Sequence, residues 1–440
     1  MESACGRGTE GDKQRMKIKW KPSRKQIIVY GVTLILSLLY VFVGHHVAMK
    51  GMLTISDPEM NLVPYKAKVE KILSREALPE EEGGGFRIFF DAKILSGEKK
   101  GQVVTALQES DPYTPVQLKE VSYGDKVLVY ETNVEDVGAS WMLGEYLRTD
   151  ALIWLGVLFC VGLLIFGRMK GLNTLVSLVF TCLSVFIVFI PSVLSGQNIY
   201  LWSSLTCLFI TVMTLLFING ADRKTLAAGI GCFSGVAVSG LLTLAMGQIL
   251  HLTGMLDEDS MYLYLLHEDR PVDLKAVIFA SIIIGAIGAI MDVAMSVSSS
   301  LMEIRSKAGT MSRRELFQSG ITIGRDMMGT MANTLVLAYI GSSLSVTLLL
   351  VVYSSSMLAL LNREMIIVEI LNALVGSLGI LLTIPLTSLV CALLFAGKKE
   401  GLPREESGSD GEAENPAPDM KEDFLSIDSF SEKNDSYDGI

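Results

Sequence analysis

Asp292 is the residue of this chain best placed to do chemistry. It lies in Gly285-Ala-Ile-Gly-Ala-Ile-Met-Asp-Val-Ala-Met-Ser-Val-Ser-Ser-Ser300, an apolar run that otherwise reads as membrane-spanning. Inserting a carboxylate there costs roughly 2.5–3.5 kcal/mol, so such residues face a bundle interior or a wet cavity and mark ion, proton or substrate pathways. At helical spacing Gly285, Gly288, Asp292, Ser296, Ser299 and Glu303 share one face. A stripe of small and polar residues lets a helix pack closely against its neighbours while lining a polar path. Asp292, Ser296 and Ser299 are therefore the candidate proton or coupling-ion site. Asn333, in Gly329-Thr-Met-Ala-Asn333, is the candidate partner from the following span. The competing reading makes Asp292 a structural hydrogen-bond centre between spans.

Four further residues are secondary candidates: Glu303, Arg325, Asp326 and Glu369. Arg325 and Asp326 are expected to pair at the cytoplasmic interface. Glu369 follows Asn362, Arg363 and Glu364 on the outer side, and Pro385 is expected to interrupt the last span, kinking it and freeing a carbonyl. His251 and His267 flank an acidic outer loop at a spacing diagnostic of no metal, so neither metal nor cofactor is assigned. There is no Walker A motif, no G-x-S-x-G, no H-E-x-x-H, no Gly-rich dinucleotide loop and no recognisable nucleophile–base pair. The expectation is a protein that is not an enzyme.

The elements that must position these residues are helices in a bilayer. Half of the residues are hydrophobic, only 19% are charged, and mean hydropathy is +0.44, too apolar for an ordinary soluble chain. Eight apolar segments are long enough to span, at about 26–44, 150–167, 172–194, 199–218, 226–250, 274–300, 331–352 and 372–396. Between the sixth and seventh, Ser312 to Met328 has the pattern of an amphipathic helix lying along the inner surface.

Loop charge sets the orientation. Basic residues collect in alternate loops (Arg168 and Lys170; Arg223 and Lys224; Arg305, Lys307, Arg313, Arg314 and Arg325; Lys398 and Lys399), whereas 191–199 has none. Under the positive-inside rule both termini are cytoplasmic. The run at 26–44 follows a basic arm and lacks a small-x-small cleavage site, so it reads as an uncleaved anchor. No basic folded patch with interleaved aromatics exists, so nucleic acid is not an expected partner. Five of the six cysteines lie in apolar runs and none lies within 45–149, which excludes a disulfide scaffold and leaves small buried side chains.

The domain plan is a basic cytoplasmic arm (1–25), a first span (26–44), an extracytoplasmic domain (45–149), a seven-helix membrane bundle (150–397) and an acidic, disordered cytoplasmic tail (398–440). Alternating stretches at 66–72, 86–94, 101–105 and 126–130, with turn signals at Gly83-Gly84-Gly85, Ser96-Gly97, Asp111-Pro112 and Gly124-Asp125, give the outer domain about five short strands. A small, OB-like β-barrel fits that pattern. The fold class is thus an α-helical integral membrane protein of about eight spans, with a β-rich domain between the first and second.

The chain resembles the YibE/YibF family of multi-spanning membrane proteins. The resemblance rests on the run from Gly285 to Glu303, on Gly324-Arg325, Gly329 to Leu335, Ala338-Tyr339 and the segment from Glu369 to Thr387, and it is read across 45–396. It implies a membrane protein and no particular activity. Gly288-x-x-x-Asp292, Glu303 and Gly309-x-x-Ser312-x-x-Glu315 are more distantly similar to the resistance-nodulation-division permeases and the SecD/SecF export proteins. Those couple proton flow through an intramembrane Asp to work by an outer domain.

Together these features point to a secondary transporter or export-assisting permease of the plasma membrane, with a proton or ion at Asp292. The alternative is a non-transporting scaffold or sensor whose outer domain binds a ligand or partner. The bilayer is the expected partner, with a second copy or a partner membrane subunit beside it.

Overall fold

The computed structural model describes residues 24–51, 63–77, 85–110, 119–132, 140–265, 271–353 and 356–396. The basic arm before Arg24, the turn signals at Gly83-Gly84 and Asp111-Pro112, His267 and the acidic tail lie outside the described residues.

Helix α1 (Arg24–Ala48) is apolar around most of its surface and buries only a small-residue seam of Thr33, Ser37, Gly44 and Ala48. Gly44 lies against Val188, where any side chain would collide with the valine methyls. Tyr40 stacks on Phe209 with ring centroids 3.8 Å apart. The carbonyls that end α1 are taken by distant donors: Ser195 Oγ donates to Ala48 O (2.5 Å) and Gln197 Nε2 to Val47 O (2.9 Å).

Five strands follow: β1 (Pro64–Ala77), β2 (Phe86–Ile94), β3 (Val103–Glu109), β4 (Lys126–Glu131) and β5 (Trp141–Tyr146). They close in the order β1-β2-β3-β5-β4, antiparallel except for β3 with β5. Period-two alternation sends Ile88, Phe90, Ala92 and Ile94 of β2 inward, where they meet Ala67, Val69, Ala106, Val127, Val129 and Trp141. β1 shifts register between Val69 and Lys71 and again between Ile72 and Ser74. Such bulges bend a strand, which lets this one serve both β2 and β4. The expected strands at 66–72, 86–94 and 126–130 lie within observed ones, the one at 101–105 overlaps β3, and β5 is an addition.

Helix α2 (Thr149–Leu183) runs on through a π-helical stretch (Ser184–Phe189) into α3 (Ile190–Leu194). Arg168 breaks it, with φ 49° and ψ −125°, a left-handed φ that costs a non-glycine residue strain. A Cβ on Gly171 would overlap the Leu163 carbonyl oxygen. Residues eight apart in an unbroken helix lie about 12 Å apart along the axis, so the chain folds back here and the absent side chain is a steric requirement of the reversal.

The remaining helices are α4 (Ile199–Asn219), α5 (Arg223–Ile249), α6 (Glu258–Leu265), α7 (Leu274–Ala308), α8 (Arg313–Ser342), α9 (Leu344–Tyr353), α10 (Met357–Leu361) and α11 (Glu364–Phe395). Asn198 and Asp273 cap α4 and α7 by accepting from Leu201 N–H and Ala276 N–H, and Ser312 with Glu315 forms a capping box on α8.

Among the described residues six helical stretches are long and apolar enough to cross a membrane, or seven if α8 and α9, bent by 63°, form one span. The expected segments 150–167 and 172–194 fall within one 46-residue stretch divided at Arg168. Three expectations change. Ser312 to Met328 is not a separate amphipathic helix; it caps and forms the first half of α8, burying Leu316, Gly320 and Gly324 against the bundle. The helix then continues to Ser342 before bending. The last span starts at Glu364, not at 372, and Pro385 sits inside α11 without interrupting it.

Helix α11 is the central column, and glycines let its neighbours approach. Gly231 and Gly235 of α5 face Thr387 and Thr383, Gly379 of α11 faces Ser239, and Gly320 and Gly324 of α8 face Ser388 and Ile384. A Cβ at any of these would enter the opposing side chain. Close packing of small residues is how apolar helices cohere where burial between them gains little, as in lipid. Cys207, Cys232 and Cys391 are buried as expected, but Cys160 and Cys182 are exposed.

Candidate functional site

The polar stripe rests on α7, whose 35 residues place Asp292 close to its middle. One face of α7 carries Ile283, Ala286, Ile287, Ile290, Val293, Ala294, Val297 and Leu301, all buried in the bundle core. At about 100° per residue, Gly285, Gly288, Asp292, Ser296, Ser299 and Glu303 fall on the opposite side. The burial pattern agrees: Gly285, Gly288, Asp292 and Glu303 are exposed, and Ser296 and Ser299 are half-buried. The shared face is therefore as the spacing indicates, but it is not the packing face. Apolar residues make most of the close contacts, and the stripe around Gly288 and Asp292 stays open.

No hydrogen bond or ion pair joins Asp292 to another helix among the described residues. Ser298, which lies off the stripe, is the buried serine that bridges helices, with Oγ donating to Lys224 O (2.7 Å). Glu303 pairs with Lys307 on its own helix (2.8 Å), an exposed i,i+4 pair outside the core.

Asn333 is exposed on α8 and makes no hydrogen bond to Asp292. The register explains the gap. Gly320 of α8 lies against Leu301 of α7, and the helices run antiparallel. Counted outward from that contact, Gly329 comes level with Asp292, and Asn333 lies about 6 Å further on. Gly329 has open space where a Cβ would stand, as has Gly288. Arg325 and Asp326 are exposed and no ion pair joins them; adjacent residues on a helix point in different directions, which corrects the expected pairing.

Tyr339, which the family resemblance includes without giving it a role, has a place that spacing does not show. Its hydroxyl reaches from α8 to the position that a Cβ on Gly285 of α7 would occupy, and it lines a cavity that Glu369 of α11 also lines. The signal was present, a phenol six residues beyond Asn333 within an apolar span, but nothing in spacing alone joins it to α11. Glu364 also has a role that spacing does not show. Its Oε1 accepts from Thr253 N–H and Gly254 N–H (both 2.6 Å) and its Oε2 from Thr253 Oγ1 (2.8 Å), clasping the loop after α5 to the start of α11.

The five-stranded barrel has its own charged surface. Arg75 holds Glu120 in a two-nitrogen salt bridge (2.9 Å), which keeps the Glu120 carboxyl below the ordinary glutamate range. A cavity of about 800 Å³ opens beside Gln108, Lys119, Glu145, Tyr146 and Arg148. Tyr146 donates to Lys119 O (2.8 Å), and burial pushes its phenol above the usual range. Lys126 joins the barrel to Asp150 at the start of α2 (2.6 Å).

A profile of YibE/F-like proteins matches residues 155–397. The chain belongs to the YibE/F-like protein family. The match takes in every residue of the α7 stripe, Asn333, Tyr339 and Glu369, and it begins after the barrel, so the wider span read from the sequence narrows to the bundle. No curated protein and no solved structure shows a significant match to the chain. The more distant similarity to the resistance-nodulation-division and SecD/SecF proteins finds no support there.

Proposed function

We propose that this YibE/F-like chain is a multi-pass protein of the plasma membrane that moves a substrate across it, or assists its export, with a proton or cation exchanging at Asp292. The observation that carries the proposal is the state of Asp292. It lies midway along an apolar helix, beside Ser296 and Ser299, and no other helix satisfies it among the described residues. A structural hydrogen-bond centre would have a partner on a neighbouring span. A carboxylate left open in mid-helix needs water or a cation to offset the cost of its insertion.

Eight spans follow from the same reading. A straight helix of 46 residues would be about 69 Å long, twice a hydrocarbon core, so the reversal at Arg168 divides it into two. With α8 and α9 as one broken span, the total is eight and both termini face the cytoplasm. The closed five-stranded order with one parallel pair is that of an OB-like barrel, here on the outer side. The first arm of the hairpin, 151–161, is exposed at every residue, and lipid, a second copy or a partner subunit would cover it. No covalent catalysis is assigned.

A scaffold or sensor is the second reading, favoured by the 800 Å³ cavity on the barrel. Carboxyl-region infrared difference spectroscopy of the full chain in lipid, wild type against Asp292→Asn, separates the two. A carboxyl band that titrates between pH 4 and 9 and vanishes in the variant supports exchange at Asp292. A spectrum unchanged by the substitution removes the coupling site and leaves the outer domain as the functional part.

A further inference from the structure

Where α8 bends into α9, a cavity of about 350 Å³ forms between these helices, α10 and α11. Its wall is hydrocarbon, from Val336, Ile340, Leu360, Leu361, Ile366 and Ile370. The polar groups facing it are few: Tyr339 and Ser343 from α8, Thr347 from α9, Glu369 from α11 and none from α10. Glu369 is half-buried, and no ion pair neutralises it among the described residues. An apolar wall around one unpaired carboxylate is costly unless the carboxyl takes up a proton or a positive charge enters.

We propose that this cavity is a binding site for an organic monocation with apolar substituents, an amine or quaternary ammonium, with Glu369 as its counter-ion and Tyr339 flanking the charge. Size and lining select this class. The volume falls in the range of small-molecule pockets, roughly 300–1,000 Å³. A proton needs no such room, and a bare metal ion needs several oxygens converging on a point, which hydrocarbon does not supply. A weakly hydrated organic cation loses little on entering an apolar wall, and a phenol ring adds cation–π attraction. An acyl chain would fit the wall but leave Glu369 uncompensated.

The site is separate from Asp292 and does not depend on exchange there. The test is equilibrium binding of radiolabelled benzyltrimethylammonium to the full chain in maltoside micelles, with neopentylbenzene, its neutral carbon isostere, as competitor. Saturable binding is expected, weakened about tenfold or more by Glu369→Gln, abolished by Ala373→Phe, which fills the cavity from α11, and unchanged by Asp292→Asn. Neopentylbenzene should compete poorly. The proposal is overturned if wild-type binding does not saturate, if the isostere competes equally, or if Glu369→Gln binds as wild type. Should Glu369→Gln fail to purify as a single species, Ala373→Phe decides, and unchanged binding to it also overturns the proposal. Loss of infrared titration at Asp292 with cation binding intact would sink the coupling reading alone.

Discussion

The two sides of α7 obey opposite rules. Toward the bundle, Ile290 lies against Gly235 of α5 and Gly379 of α11, where even one added methyl would collide. Away from it, Gly288 has open space around its missing Cβ, and Asp292, four residues on, is exposed. The same small residue is a packing requirement on one side and a vacancy on the other. The difference teaches that the two sides are held differently: glycine seams lined by small hydroxyl side chains hold the bundle side together, and the Asp292 carboxylate is kept out of them.

That contrast breaks most severely at Gly235. Gly235→Leu drives a branched side chain into Thr383 and Ile290, and the expected loss is about 3 kcal/mol or more, read as loss of a monodisperse peak and a sharply lower Tm in detergent. On the open side the sign reverses. Asp292→Leu removes a charge whose insertion costs roughly 2.5–3.5 kcal/mol, so insertion efficiency in a glycosylation-reporter assay should rise while any cation exchange is lost. Glu364→Gln keeps the shape of the outer clasp but loses the charge behind its three hydrogen bonds; about 1–2 kcal/mol of destabilisation is expected, with faster hydrogen exchange at Thr253 and Gly254. Gly288→Ala meets no neighbour and relieves a helix-interior glycine, so stability should rise by about 0.5–1 kcal/mol.

The smallest effect is in the barrel. Arg75 holds the Glu120 carboxyl below its unfolded value, so the pair's contribution is complete above the ordinary glutamate range and fades as pH falls through the lower folded value. Both side chains are exposed, so acid should cost the barrel little. Arg75→Ala should flatten what pH dependence there is, followed by the near-ultraviolet signal of Trp141.

These contrasts mark what could be read from the chain. The alternation of Phe86–Ile94 gives β2 to the residue, because in water the inside and outside of a strand differ in polarity. In the bundle that lever is absent. Period 3.6 puts Gly285, Asp292 and Ser296 together, but lipid and helix interior are equally apolar, so spacing does not say which side of α7 packs. Gly231 and Gly235, Gly320 and Gly324 carried the packing signal in their four-residue spacing. The reversal at Arg168 matches the break between two apolar runs, whereas β5, as short as β4, lacks β4's inside–outside alternation, and its pairing with β3 is too remote in sequence to be seen. Tyr339 and Glu369 line one cavity because α8 packs against α11, a pairing of helices that no local signal announces.

The claim that the open side of α7 is a wet polar path is tested most directly by cysteine accessibility. Single cysteines at Gly288, Ser296 and Ser299, and at Ile287, Val293 and Val297, are placed in a chain freed of its six native cysteines and treated in membranes with a charged, water-borne thiosulfonate. The first three are expected to react and the second three to resist. Resistance at Gly288, Ser296 and Ser299 alike would put that side of the helix in lipid or under protein, and would contradict a path through Asp292.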